Sequence, residues 1–183
     1  DFIDEQVKGT YKDCTSSIEG LTTYIKDTIL DETDELLNGQ SFDLVCSLSC
    51  IDWNIQFSEM LLTAWKHVKP GGSFVATFRL CLGEGSQNIK DSYQYINYEG
   101  KKEGEVAAYV VLNIKSFMTI LKQLNPSEIK GTGYWGTPSP SAVTPYQSLC
   151  FAAFSITKRQ EADFSDVCIY LDLPEDITAV LED

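Results

Sequence analysis

Phe42-Asp43-Leu44-Val45-Cys46-Ser47-Leu48 is followed by an amphipathic run and then by Lys69-Pro70-Gly71-Gly72-Ser73-Phe74-Val75. The first piece is short and mostly apolar, the composition of a parallel strand buried on both faces. After it, Ile51, Ile55, Phe57, Leu61, Ala64, Trp65 and Val68 recur at spacings of three and four. That spacing predicts a helix with one apolar stripe, capped by Asp52 or Asn54. Lys66, His67 and Lys69 fall in its last turn, where cations suit the helix dipole. Pro70-Gly71-Gly72 is expected to stop the helix, and Ser73 to Leu80 reads as the next strand. A crossover helix between parallel strands needs a dozen residues or more. The unit therefore predicts an open α/β sheet.

Working outward, residues 82–108 are polar and rich in Gly, Glu, Lys and Tyr, either a long loop or a small insertion. Loops of that length are uncommon unless functional. Asn113 is a predicted cap for a second amphipathic helix, with Ile114, Phe117, Met118, Leu121 and Leu124 as its stripe and Asn125-Pro126 as its end. Glu128 to Tyr134 and Leu149 to Thr157 read as strands, joined by a loop carrying Pro138, Pro140 and Pro145. Two late strands so joined predict an antiparallel edge. Within the acidic tail, residues 159–183, Val167 to Leu171 is expected to add one short strand, and the remainder is left to fray. Upstream, a helix is expected from Asp4 to Asp13 and a strand from Thr22 to Leu30, then an acidic connection turning at Asn38-Gly39.

The chain has 183 residues and a formal net charge of −13, from 27 acidic and 14 basic residues. It is long enough to bury one core, and 43% apolar residues is a globular composition. Nucleic-acid binding depends on Lys and Arg neutralising phosphates; an acidic chain whose only arginines are Arg79 and Arg159 is a poor candidate. Six cysteines are spread through apolar segments, which suits buried thiols in a reducing, cytoplasmic setting. With His67 as the sole histidine, no metal site is expected. No apolar run approaches about eighteen residues, so no membrane span is expected.

The Phe42–Ser47 strand, the helix after it and the Lys69–Val75 turn and strand resemble, in order and spacing, the fourth and fifth strands of class I S-adenosylmethionine-dependent methyltransferases. The resemblance extends over about residues 1–158 and leaves 159–183 as an acidic extension. It implies a three-layer, Rossmann-like α/β sheet, mostly parallel with an antiparallel final strand. It also implies an N-terminally incomplete chain, because the family's first strand and Gly-rich loop have no counterpart in these residues. Glycine is needed in that loop where the backbone closely approaches the ligand.

The implied cofactor is S-adenosylmethionine. By the resemblance, Asp1 holds the ribose hydroxyls, Asp27, Thr28 and Ile29 line the adenine, and Ser47, Leu48 and Ser49 meet the amino-acid end. The family often has Asp at the position of Thr28, and Asp27 lies one step earlier. Ligands of open parallel sheets bind beyond the carboxyl ends of the strands. That rule separately picks out Asp1, Thr28, Ser47 to Trp53 and Arg79 to Cys81. Asp52 is a candidate base or substrate ligand, or a helix cap. Trp53 is a candidate stacking surface, or helix-start packing. Arg79 is suited to a substrate carboxylate or phosphate, or to a structural ion pair. Tyr134, with Trp135 and Tyr146, brackets the Pro-rich loop, either over a small substrate or as edge packing. His67 is expected to pair with the helix dipole. The implied activity is methyl transfer to a small molecule, with no nucleic-acid or membrane partner and an oligomer compatible. The competing functions are a non-catalytic methyltransferase-like scaffold and a nicotinamide-dependent oxidoreductase.

Overall fold

The computed structural model describes residues 39–49, 51–53, 57–86, 93–95, 107–140 and 142–182. The chain divides into units 1–38 and 39–183, and the described residues all belong to the second. The helix and strand expected before Asn38 lie outside them.

The strands are β1 (Phe42–Ser47), β2 (Val68–Cys81), β3 (Tyr93–Tyr95), β4 (Ala107–Tyr109), β5 (Val111–Asn113), β6 (Pro126–Gly136), β7 (Ala142–Val143), β8 (Leu149–Lys158) and β9 (Cys168–Asp172). The helices are α1 (Phe57–Lys66), α2 (Ile114–Gln123) and α3 (Glu175–Glu182), and Ile51–Trp53 forms a 3-10 turn. The main sheet runs β1-β2-β8-β6-β9, with β5 also on β2. β1, β5 and β2 are parallel, β6 and β9 are parallel, and β8 is antiparallel to both β2 and β6. β8 is therefore the one strand of this sheet running opposite to the others. This is the Rossmann-like α/β sheet that the resemblance implies, with β8 as its antiparallel strand. The short strand expected in the acidic tail is observed as β9, which takes the outer edge of β6.

Arg79 and Leu80 pair with β8 on one side and with Val111 and Leu112 of β5 on the other. β5 therefore continues the line of β1 past the point where β1 ends. Contrary to the sequence expectation, β1 is not buried on both faces: Asp43, Leu44 and Cys46 are exposed. Among the described residues it pairs with β2 alone.

The Pro-Gly-Gly segment is also placed differently. The helix already stops at Lys66, and β2 begins at Val68. Phe42 pairs with Val68, but the next pair is Leu44 with Ser73, so Lys69–Gly72 bulges out of the ladder. Gly71 supplies the left-handed turn (φ 79°). A Cβ on Gly72 would lie 2.8 Å from the Asp43 carbonyl oxygen, so only glycine lets the bulge lie against β1. His67 sits in the turn after the helix, where its Nδ1 donates to the Gln40 carbonyl (2.7 Å).

One face of the sheet is a dry core. Along β2, Phe74, Ala76, Phe78 and Leu80 share it, opposite Ile156, Phe154, Ala152 and Cys150 of β8. α2 covers it, with Phe117 4.5 Å from Phe78 and 5.0 Å from Phe154 between ring centroids. The sequence stripe of α2 is observed as read: Ile114, Phe117, Met118 and Leu121 are buried. The Asn113 side chain accepts from Ser116 N (3.0 Å), and Asn125 takes a left-handed conformation (φ 50°) just past the end. A Cβ on Gly131 of β6 would lie 2.6 Å from the Phe154 ring, so this glycine makes room for the aromatic cluster. Beyond β9 the tail does not fray as expected: Ile177 of α3 is buried, and Asp176 accepts from Trp135 Nε1 (2.8 Å).

The opposite face carries Thr77, Arg79, Cys81, Phe151 and Leu149. Here lies a second, three-stranded sheet in the order β4-β3-β7, drawn from the polar 82–108 region and the Pro-rich loop. Tyr109 joins Cys81, Val111 and Leu149 in a small core, against which Ala142, Tyr146 and Phe151 pack.

Candidate active site

At the carboxyl end of β1 the chain folds sharply back over β2. Ser47 Oγ accepts from Ile51 N (3.0 Å), and Ser49 N donates to Thr77 Oγ1 (2.7 Å). Ser49 is left-handed (φ 50°), which costs about 1 kcal/mol for a non-glycine residue. The Thr77 hydrogen bond holds it there. Leu48, between them, is 60% exposed.

This turn delivers Asp52 to Arg79. Asp52 is completely buried and Arg79 is 7% exposed. Arg79 Nη1 donates to Asp52 Oδ2 (2.5 Å). Asp52 Oδ1 is buried and accepts no hydrogen bond among the described residues. Asp52 does not cap the helix, because its side chain faces Arg79; Asn54, the other candidate cap, lies outside the described residues. Burial pushes the Asp52 carboxyl up to about 6 against the opposing pull of the Arg79 charge. Desolvation exceeds the Coulomb gain because only one oxygen is hydrogen-bonded.

Aromatic rings complete the surroundings. The Arg79 guanidinium carbon lies 3.3 Å from the centroid of Tyr109 and 5.8 Å from that of Phe151, a stacked cation–π arrangement. Arg79 pairs with Phe151, and Phe151 pairs with Tyr134. The three side chains therefore stand in one row on one face. Tyr134 stacks on Phe151 (5.9 Å, 27°) and is 66% exposed. The main chain closes the other side, where Val110 N donates to the Asp52 carbonyl oxygen (2.6 Å).

The structure thus brings together Ser47, Leu48, Ser49, Asp52 and Arg79 at the carboxyl ends of β1 and β2, with Tyr134 two strands away in the Arg79 row. Trp53 ends the 3-10 turn. Asp1, Asp27, Thr28 and Ile29 lie outside the described residues. Trp135 is engaged with α3, while Tyr146 donates to the Glu84 carbonyl (3.4 Å). The sequence reading missed Thr77, Tyr109 and Phe151. Phase along β8 could have flagged Phe151, since it is out of step with Phe154 and Ile156. Nothing local marks Tyr109.

Burial pushes the thiols of Cys81 and Cys150 up to about 11, so neither is a nucleophile at neutral pH. Among the described residues, no three His, Cys, Asp or Glu side chains gather as a metal site. No helix among them is long and apolar enough to cross a membrane.

No family model matches the sequence, and no curated protein matches it. Among the solved structures that this chain resembles are the following two. One is an O-methyltransferase family protein from Burkholderia thailandensis, 12% identical, with a TM-score of 0.44 over 85% of this chain and 42% of that one. The other is assigned as an S-adenosylmethionine dependent methyltransferase from Listeria monocytogenes, 13% identical, with a TM-score of 0.46 over 80% of this chain and 76% of that one. The chain spans less than half the length of the first.

Proposed function

We propose that this chain is part of a class I methyltransferase that moves a methyl group from S-adenosylmethionine to a small-molecule acceptor. The observation that carries this reading is the convergence of the Ser47–Ser49 turn, Asp52 and Arg79 where two parallel strands end, the place at which open α/β sheets bind ligands. Ser47, Leu48 and Ser49 fit one wall of a cofactor site. The exposed Leu48 offers apolar surface, and the Thr77 hydrogen bond fixes the turn. In the parent protein, Asp1, Asp27, Thr28 and Ile29 would hold the ribose and adenine.

When bound, the cofactor supplies an electrophilic methyl group on a sulfonium. The chain's own part is to orient an acceptor in line with that methyl, to exclude water and to take up the acceptor's proton. Arg79 is suited to orient an anionic acceptor. Asp52 is suited to accept its proton, since a carboxyl raised to about 6 is ionised at neutral pH yet a stronger base than an ordinary one. Tyr134, stacked on Phe151 in the Arg79 row, offers an exposed aromatic surface. The free thiols at Cys46, Cys81, Cys150 and Cys168 support a reducing, cytoplasmic setting.

One observation favours a second reading, a non-catalytic scaffold of the same fold. The Asp52–Arg79 pair is buried and already engaged. Titration calorimetry of the full-length protein decides between them. Micromolar binding of S-adenosylhomocysteine, weakened by Asp1→Ala, supports the enzyme. Absence of binding supports the scaffold, and binding of NADH instead overturns both.

A further inference from the structure

We propose that Thr77 is a positioning residue of the cofactor site: through its hydrogen bond to Ser49 it holds the Ser47–Ser49 turn in the shape that receives S-adenosylmethionine. This role rests on the reading of that turn as one wall of the cofactor site. Thr77 acts at one remove, setting the affinity of the cofactor through the main chain of Ser49.

The place of Thr77 in the sheet gives it this part. On the edge of β2 that meets β1, the ladder ends at Ala76 opposite Ser47, and pairing resumes at Arg79 opposite Val111 of β5. Among the described residues, Thr77 and Phe78 lie in the gap between these two ladders. On the other side of β2 the same two residues pair with Ala153 and Ala152 of β8, so the gap has a firm backing. The turn leaving β1 reaches into it, and Ser49 N donates to Thr77 Oγ1 (2.7 Å). A side chain of β2 thus takes over from main-chain pairing at the strand ends, where open α/β sheets bind their ligands.

The bond acts on a residue that needs holding. Ser49 is left-handed (φ 50°), a conformation disfavoured roughly five- to thirtyfold for a residue with a Cβ. Leu48 and Ser49 are both exposed, so burial does little to fix the turn. Two hydrogen bonds carry that part: the one to Thr77, and the one from Ile51 N to Ser47 Oγ (3.0 Å). Released from Thr77, Ser49 is expected to populate other conformations. The apparent affinity of a ligand that needs the observed one then falls by the fraction lost.

Three substitutions separate positioning from packing. Valine matches threonine in shape and lacks the acceptor, whereas serine keeps the hydroxyl and loses the methyl group. Glycine at position 49 takes the left-handed conformation without a steric penalty, which makes the Thr77 bond less necessary.

Titration calorimetry of the full-length protein with S-adenosylhomocysteine tests the role. Thr77→Val should weaken binding about fivefold, the worth of one ordinary hydrogen bond, and Thr77→Ser should keep it within about twofold. In a Ser49→Gly background the Thr77→Val loss should shrink to less than about twofold. Hydrogen-exchange protection of the β8 amides paired to β2 should be the same in every variant. Unchanged affinity in Thr77→Val, or an equal loss in Thr77→Ser, overturns the role of Thr77 and leaves the methyltransferase reading in place. A loss of affinity matched by a loss of β8 protection also overturns it, since Thr77 then acts on the sheet and not on the turn. If the unsubstituted protein does not bind S-adenosylhomocysteine, that reading fails and the role of Thr77 fails with it.

Discussion

The two faces of the central sheet are made by the same strands, yet they obey different rules. On one, Phe74, Phe78, Phe154 and Ile156 meet α2 with no polar side chain between them. On the other, two residues away or fewer, Arg79 is buried with Asp52 beneath Tyr109. The first face maximises apolar burial, the main favourable term in folding. The second accepts a buried charge pair that replacement by apolar groups would often improve. Strand alternation allows this separation, since neighbouring residues point to opposite faces. A sheet can therefore hold an electrostatically unfavourable arrangement on one side because the other supplies the stability.

Substitutions can sharpen or break that contrast. Phe117→Ala, which removes the ring shared by Phe78 and Phe154, should lower unfolding stability by about 4 kcal/mol in urea titration. It should leave the pH response of Asp52 unchanged. Arg79→Met should cost about 3 kcal/mol at pH 7.5, because it leaves a buried carboxylate without its cation. Most of that should return when Asp52→Asn is added, and equal losses in the single and double variants would show that the pair is not coupled.

The pH dependence separates the faces further. A carboxyl whose folded value is raised stabilises the fold most below its unfolded value of 3.8, and that contribution is lost as pH rises to about 6. Relative to Asp52→Asn, the unsubstituted protein should lose up to about 3 kcal/mol across this window. A constant difference between the two urea midpoints would remove Asp52 as the cause. Asn113→Ala should cost about 1 kcal/mol through the lost cap of α2. Lys69→Ala should leave the midpoint unchanged, since its bond to Asp43 is exposed to solvent.

Much of the dry face was legible beforehand. Asn113, the Ile114–Leu121 stripe and the Asn125-Pro126 stop act within one helix, so their spacing alone identified α2. The Leu149–Thr157 strand was equally plain from its apolar run. The bulge at Lys69–Gly72 was harder. Pro-Gly-Gly signals a break in regular structure, but whether it ends a helix or interrupts a ladder depends on what lies alongside, here the Asp43 carbonyl. The cap open to Asp52 is not taken up for a similar reason. Asp52 stands where a helix cap is expected, but its attraction is to Arg79, which belongs to a different strand.

The site shows the same division. Asp52 and Arg79 were each marked by residue type and by position at a strand end, with an ion pair as one alternative for Arg79. Their joining to one another was not legible, nor was Tyr109 over the guanidinium.

The order of a parallel strand, an amphipathic helix and a second strand was determined by the amino-acid sequence, because periodicity and capping act over a few residues. That Asp52 and Arg79 are buried together, that β8 lies between β2 and β6, and that β9 closes the edge were decided by the tertiary structure. Those outcomes depend on which strands meet and in what register, and on the burial that follows. Burial in turn makes an ordinary aspartate a carboxyl whose charge is costly.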